Sequence, residues 1–315
     1  MSLGDPRGIG PEVAAAALSD PRVRTAAQFR VIGPEGPGSA SAAPPWLSEP
    51  GVVFEALGRW TGGDEAEAGR LSLAAIGRGI DMALAGEVDG LVTGPVSKAA
   101  LAAAGSPYPG HTEILRERCG VSDVTMIMAA ERTPLGGPLR VVLLTTHLPL
   151  REVPGALSVE LVERRVSLAA RALREWWRIP IPRLAFAGIN PHASEGGLFG
   201  DEEERILTPA ADRLTAAGVA RVAGVFPADT VFRLCLQGTV DAVVVPYHDV
   251  GLAVLKTVAG ETGVNVTAGL PFPRTSPDHG TAFDIAGTGT ADPSSMVEAM
   301  LQCIRFCRAA EAGDA

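Results

Sequence analysis

Short apolar, β-branched runs recur along this chain, and longer stretches with helical spacing of apolar positions separate them. The runs at 88–92, 140–145, 183–187, 222–225 and 240–245 predict strands. The stretches at 12–18, 65–85, 159–177, 202–217, 230–237 and 294–310 predict helices. This alternation predicts an α/β fold with a mainly parallel sheet flanked by helices, since parallel strands need long crossovers. Residues 33–50 break the pattern: small residues and prolines dominate, only Trp46 and Leu47 are large and apolar, and a surface loop is expected. The stretch 149–158 and the region near Pro271 are expected to be places where the chain passes between lobes. No internal repeat is present.

Composition narrows the class. With 315 residues, 46% hydrophobic and 20% charged, the chain is long enough for one large α/β domain or two modest lobes sharing a cleft. A net charge of −9, with no basic stripe, excludes an ordinary nucleic-acid binder but not a local pocket for an anion. No run of 18 apolar residues predicts a membrane span, and no signal-like pattern opens the chain, so a cytoplasmic protein is expected. Four cysteines, Cys119, Cys235, Cys303 and Cys307, form no CxxC pair. Cys303 and Cys307 fall on one helical face and read as buried thiols, which fits a reducing compartment.

Histidine placement carries the most chemical information. His147, His192 and His248 each follow an apolar run predicted as a strand, and in open α/β sheets the carboxyl edge of the strands is where ligands bind. Taken singly, each also reads as a loop histidine bonded to backbone. Three placed alike favour a shared metal site with positions left for substrate oxygens. His111 and Thr112 lie at the start of an amphipathic segment, where Thr112 is positioned to cap a helix whose amino terminus favours an anion. Lys256, Asn265 and Arg274 follow His248 and supply donors suited to a phosphate or carboxylate. His279 stands in a polar, glycine-containing loop. The glycine-rich GDPRGIGPE at 4–12 is neither a GxGxxG nor a phosphate-loop signature, so the residues alone reach a metal-dependent enzyme with an anionic substrate and stop short of a nucleotide.

Eight segments in order resemble one family. They are GDPRGIGPE (4–12), GLVTGPVSK (90–98), GHTE (110–113), TTHLPL (145–150), NPHASEGGLFGDEE (190–203), PADTVF (227–232), YHDVGLAVLK (247–256) and VNVTAGLPFPRTSPDHGTAFDIAGTG (264–289). Together they resemble the 4-hydroxythreonine-4-phosphate dehydrogenase family of pyridoxal phosphate biosynthesis, across essentially the whole chain. The resemblance implies an isocitrate/isopropylmalate dehydrogenase-like fold, two α/β lobes flanking an active-site cleft, with 1–115 plus 273–315 as the first lobe. Residues 116–272 would form the second lobe and carry the interface of a homodimer with shared active sites. It also implies NAD or NADP as cofactor and one divalent ion per site, with zinc, cobalt, nickel, manganese and magnesium all compatible with such ligands. The metal ligands carry over to His147, His192 and His248, not necessarily of one subunit. Substrate-binding positions carry over to His111, Thr112, Lys256, Asn265 and Arg274, and cofactor-binding positions to His279, Gly280, Asp284 and Gly287.

The implied reaction oxidises the secondary hydroxyl of 4-phosphohydroxy-threonine and decarboxylates the product to 3-amino-2-oxopropyl phosphate. Asp249 and Asp229 are candidates for proton handling or for support of the metal ligands. The alternatives are a related dehydrogenase of phosphorylated threonate or erythronate, or of a dihydrodiol carboxylate, and, in another class, a metal-dependent hydrolase. The chain departs from the family pattern in three places. The strand that precedes the GDP turn in relatives is expected to be missing, through truncation or a misassigned start. Arg7 replaces the usual Ala, and Val250 and Ala253 replace Gln and Pro beside His248.

Overall fold

A computed structural model describes residues 1–36 and 50–311. The loop expected at 33–50 lies largely outside them, although its first residues belong to a strand, Phe29–Glu35. Two compact units divide the chain: Met1–Ser122 with Leu270–Arg308, and Asp123–Gly269 with the residues from Ala309 onward.

In the first unit, β1 (Phe29–Glu35) pairs in parallel with β2 (Val52–Arg59), and β3 is the short Leu91–Val92. The strand expected to be missing is partly present. Ser2 bridges both Ile32 and Thr93, with Ser2 N–H donating to Val92 at 3.0 Å and Leu3 N–H to Ile32 at 3.0 Å. Three residues suffice because neighbours on both sides satisfy their backbone groups. The GDP turn follows, and Gly4 at φ +83° is obligatory there: a Cβ would sit 2.2 Å from the Pro95 carbonyl oxygen. The helix Glu65–Leu84 starts at Asp64, whose carboxylate accepts from Glu67 N–H at 2.8 Å. It buries Leu71, Ile76, Ile80 and Met82, each contributing roughly 1.5–3 kcal/mol when fully removed from water.

The second unit holds β4 (Thr125–Ala130), β5 (Leu139–Leu143), β6 (Arg183–Ala187), β7 (Arg221–Phe226), β8 (Ala242–Val245) and β9 (Val264–Ala268). Its strand order is β9-β4-β5-β8-β6-β7. The sheet is mixed: β4 runs antiparallel to both β5 and β9, while β5–β8, β8–β6 and β6–β7 are parallel. Val141, Val142, Val243 and Val244 are all buried, as strands covered on both faces require. The helix His248–Ala259 lies close on this sheet because residue 251 is glycine; a Cβ there would meet Val141 Cγ1 at 2.7 Å. Residues 149–158, expected to be a passage between lobes, lie inside this unit as a 3₁₀ turn, Leu150–Glu152, and a short helix, Val153–Ala156. The chain then returns to the first unit, where β10 (Arg274–Pro277) pairs in parallel with β3 before the long helix Ser294–Glu311. Cys303 is buried on that helix and Cys307 half-buried, and neither is in a disulfide. Among the described residues no helix is long and apolar enough to cross a membrane.

Candidate active site

Strands β5, β8 and β6 are consecutive, parallel neighbours, so their carboxyl ends lie side by side. His147 follows the first, His248 the second and His192 the third. The exits of β5 and β8 are tied together by Leu144 N–H to the Val245 carbonyl at 3.0 Å and by Thr145 Oγ1 to the Pro246 carbonyl at 2.8 Å. The result is a close pair: the His147 and His248 ring centroids are 5.6 Å apart. Two imidazoles bound to one ion at about 2.0–2.1 Å have centroids roughly 5–6 Å apart, so this pair fits a shared divalent cation.

His248 is also set in the right tautomer. Its Nδ1 lies 2.7 Å from Asp249 Oδ1, and a carboxylate only accepts, so Nδ1 holds the proton and Nε2 keeps its lone pair for a metal. Asp249 is therefore placed to orient a ligand. Asp229, its companion candidate, is exposed on the turn after β7.

His192 is held differently. Among the described residues no three of His, Cys, Asp and Glu gather into a metal-holding group, so His192 does not complete a trio with the other two in one chain. It is exposed, its ring 6.2 Å from that of Phe199, and the neighbouring Leu198 is 72% exposed. His192, Ala193, Ser194 and Glu195 all take left-handed backbone, with φ of 55°, 52°, 72° and 45°. Each L-residue there costs about 1–2 kcal/mol, so surrounding contacts must hold the turn. Ser194 Oγ donates to the Gly200 carbonyl at 2.7 Å, and Phe199 N–H to the Ser194 carbonyl at 3.2 Å.

The candidates for anion binding divide between the units. In the first, Arg274 begins β10 with 1% exposure and donates through Nη2 to Thr93 Oγ1 at 2.5 Å. Burial lowers its pKa to about 10. His111 opens the helix His111–Arg118, its Nε2 buried without a hydrogen-bond partner. Burial, reinforced by the Arg274 cation, pushes the His111 imidazole well below its ordinary pKa, so it is neutral at pH 7. An anion would offset both effects at once. Thr112 is not the cap expected of it: Gly110 stands at the N-cap and Thr112 lies in the first turn. In the second unit, Lys256 is exposed on the helix that begins with His248. Asn265 lies in β9 with its side-chain oxygen buried and without a partner.

The loop carrying His279, Gly280, Asp284 and Gly287 packs on the amino-terminal turn of its own unit. Ile9 N–H donates to the Thr281 carbonyl at 2.9 Å, and Gly287 N–H to Glu12 Oε2 at 3.1 Å. Arg7 lies with its guanidinium 4.9 Å from the Phe283 ring centroid. It also pairs with the buried Asp5 at 2.8 Å and with Glu65 at 3.3 Å. Arg7 thus fastens this loop to the amino-terminal turn. His279 Nδ1 is 3.0 Å from the Gly280 carbonyl, and its Nε2 is buried without a partner; Asp284 is exposed.

Thr93, Asn190, Glu12 and Glu203 escaped the sequence reading as individual residues. Thr93 sat within GLVTGPVSK, and Asn190 and Glu203 stood at the two ends of NPHASEGGLFGDEE.

Residues 25–303 match the family described as "Pyridoxal phosphate biosynthetic protein PdxA". A 4-hydroxythreonine-4-phosphate dehydrogenase from Desulfosudis oleivorans is 42% identical over 95% of this chain and 93% of its own. The crystal structure of a 4-hydroxythreonine-4-phosphate dehydrogenase from Klebsiella pneumoniae superposes with a TM-score of 0.80 at 38% identity, covering 97% of this chain and 98% of that one. Isocitrate dehydrogenase from Methylococcus capsulatus shares the fold at 17% identity, with a TM-score of 0.57 over 98% of this chain and 86% of its own. The α/β architecture is thus that of the isocitrate dehydrogenase group, and the chain belongs to the PdxA family of pyridoxal phosphate biosynthetic proteins.

Proposed function

We propose that this chain is a metal-dependent, NAD- or NADP-linked dehydrogenase of 4-phosphohydroxy-threonine, working in the cytoplasm as a homodimer. The observation that carries the reading is the His147–His248 pair, 5.6 Å apart, with Asp249 on the far nitrogen of His248. When bound, the divalent ion lowers the pKa of the substrate's secondary hydroxyl and the nicotinamide accepts the hydride. The carbinol thereby becomes a ketone, and the resulting β-keto acid loses carbon dioxide to give 3-amino-2-oxopropyl phosphate.

This chain's own residues have three tasks. His147 and His248 hold the ion, with Asp249 keeping His248 in the ligating tautomer. Arg274, His111 and Thr112 of the first unit bind the phosphate, and the buried, partnerless Nε2 of His111 supports that role; Lys256 and Asn265 of the second unit are substrate-binding residues. The loop bearing His279, Gly280, Asp284 and Gly287 receives the cofactor. His192 serves the histidine pair of a second copy. Its exposure beside Leu198 and Phe199, with no three-ligand group among the described residues, supports this sharing.

The test is reduction of NAD and of NADP by 4-phosphohydroxy-threonine, followed by absorbance with added divalent ion and with chelator. Ion-dependent formation of reduced cofactor is expected. No turnover by metal-loaded dimer, together with turnover of phosphorylated threonate or erythronate, would reject the substrate.

A further inference from the structure

We infer that Glu203 is a positioning residue whose carboxylate clamps the exit of β6 and thereby aims His192. The inference rests on the reading of His192 as a metal ligand.

Glu203 is 3% exposed, and its oxygens accept from the backbone and the Asn190 amide that lead to His192. Oε1 accepts from both Ile189 N–H and Asn190 N–H at 2.8 Å, and Oε2 accepts from Asn190 Nδ2 at 2.9 Å. The same Asn190 amide reaches Glu202 Oε2 at 2.7 Å, a hydrogen bond that leads the causes holding the Glu202 carboxyl below its ordinary pKa. Two features make room for this grip. Glu203 opens a π-helical turn, Glu203–Leu207, a wide turn often found at functional positions. Residue 188 is glycine, and a Cβ there would lie 2.9 Å from Ala193 Cα and 3.1 Å from Glu203 Oε1.

The grip has a reason. Two residues beyond Asn190 the chain enters four successive left-handed L-residues, beginning with His192 itself. Such a turn persists only where its surroundings over-determine it. Carboxylate acceptance of two adjacent N–H groups fixes the direction in which the chain leaves β6. A neutral amide at 203 keeps the size of the side chain but has only one accepting atom: with Oε1 on the Ile189 and Asn190 N–H groups, its NH₂ meets Asn190 Nδ2 donor against donor. The turn can then relax toward right-handed backbone and carry the imidazole with it.

The experiment compares wild type, Glu203→Gln and His192→Ala as full-length protein, using cobalt(II) as the probe. Affinity is read by competition with a chelator, ligand geometry by the visible absorption spectrum, and folding by thermal unfolding. Folded Glu203→Gln is expected to bind cobalt(II) about 10- to 100-fold more weakly, as loss of a residue supporting a metal ligand does, with an altered spectrum. A lower Tm with wild-type affinity and spectrum makes Glu203 merely structural and overturns the inference. Wild-type cobalt(II) binding by His192→Ala overturns the metal assignment and the positioning role with it. Should Glu203→Gln not fold, Asn190→Ala, which removes the amide shared by Glu202 and Glu203, takes its place. A loss of roughly tenfold with an altered spectrum is then expected, and no change is the contradicting result.

Discussion

Arg274 with His111, and His147 with His248, are held by their surroundings in opposite ways. Arg274 is a buried cation, and His111 is half-buried with its Nε2 shut away from water and its imidazole held well below the ordinary pKa by burial and by the Arg274 cation. His147 is exposed, and His248 is bonded to a carboxylate that is itself 87% exposed. Arg274 Nη2 on Thr93 Oγ1 and the buried Nε2 of His111 are the donors that the proposed reading offers to a substrate anion. A metal ligand has the other requirement, to stay neutral with a lone pair that an ion can reach. On the proposed reading, the difference teaches that charge recognition belongs to the buried β-structure of the first unit and metal recognition to strand exits of the second.

Substitutions can break this contrast. The largest effect is expected from Arg274→Met: kcat/KM for the phosphorylated substrate should fall about 100- to 1,000-fold, some 3–4 kcal/mol at 1.4 kcal/mol per tenfold. Metal affinity should be untouched. The reciprocal outcome belongs to His248→Ala, where metal affinity drops on the order of 100-fold while the isolated protein still binds inorganic phosphate. Competition against a chelator and calorimetric titration with phosphate read the two quantities separately. Asp249→Asn should fall between, with metal affinity down about tenfold, because an amide no longer compels the proton onto His248 Nδ1.

Smaller effects sharpen the picture on the first unit. Arg7→Ala leaves Asp5 buried without its guanidinium and the Phe283 ring uncovered, and should cost about 1–2 kcal/mol, read as a lower Tm. His111 gives the acid limb of stability. Its folded pKa lies below the unfolded value, so as pH falls through about 6.5 the unfolded chain takes up a proton that the folded chain refuses. Stability then declines by at most about 1.4 kcal/mol per pH unit until the folded pKa is reached. His111→Gln should flatten that limb in Tm measured between pH 7 and pH 5; an unchanged slope would assign the acid sensitivity elsewhere.

The legible parts of the sequence were those governed by burial. The runs ending in His147, His192 and His248 are apolar because β5, β6 and β8 are covered on both faces, so the placement of each histidine at a strand exit could be read directly. Strand β10 was not readable, since Arg-Thr-Ser-Pro has no apolar signature; its first residue is buried through Thr93, 181 positions away. Strand β4, with Met and Ala in place of branched residues, was missed, and with it the antiparallel character of its two pairings. The left-handed turn at 192–195 was hidden because none of its four residues is glycine. Glu203, whose carboxylate grips the backbone just before that turn, stands in a charged run.

The most direct test measures initial rates of cofactor reduction with 4-phosphohydroxy-threonine in wild type and His248→Ala, after chelation and after restoring a divalent ion. Wild type should fall silent on chelation and recover with the ion, while His248→Ala stays silent at ion concentrations that saturate wild type. Full turnover by the chelated wild type, or a wild-type ion response from His248→Ala, would contradict the assignment of this histidine pair as the metal-holding part of the site.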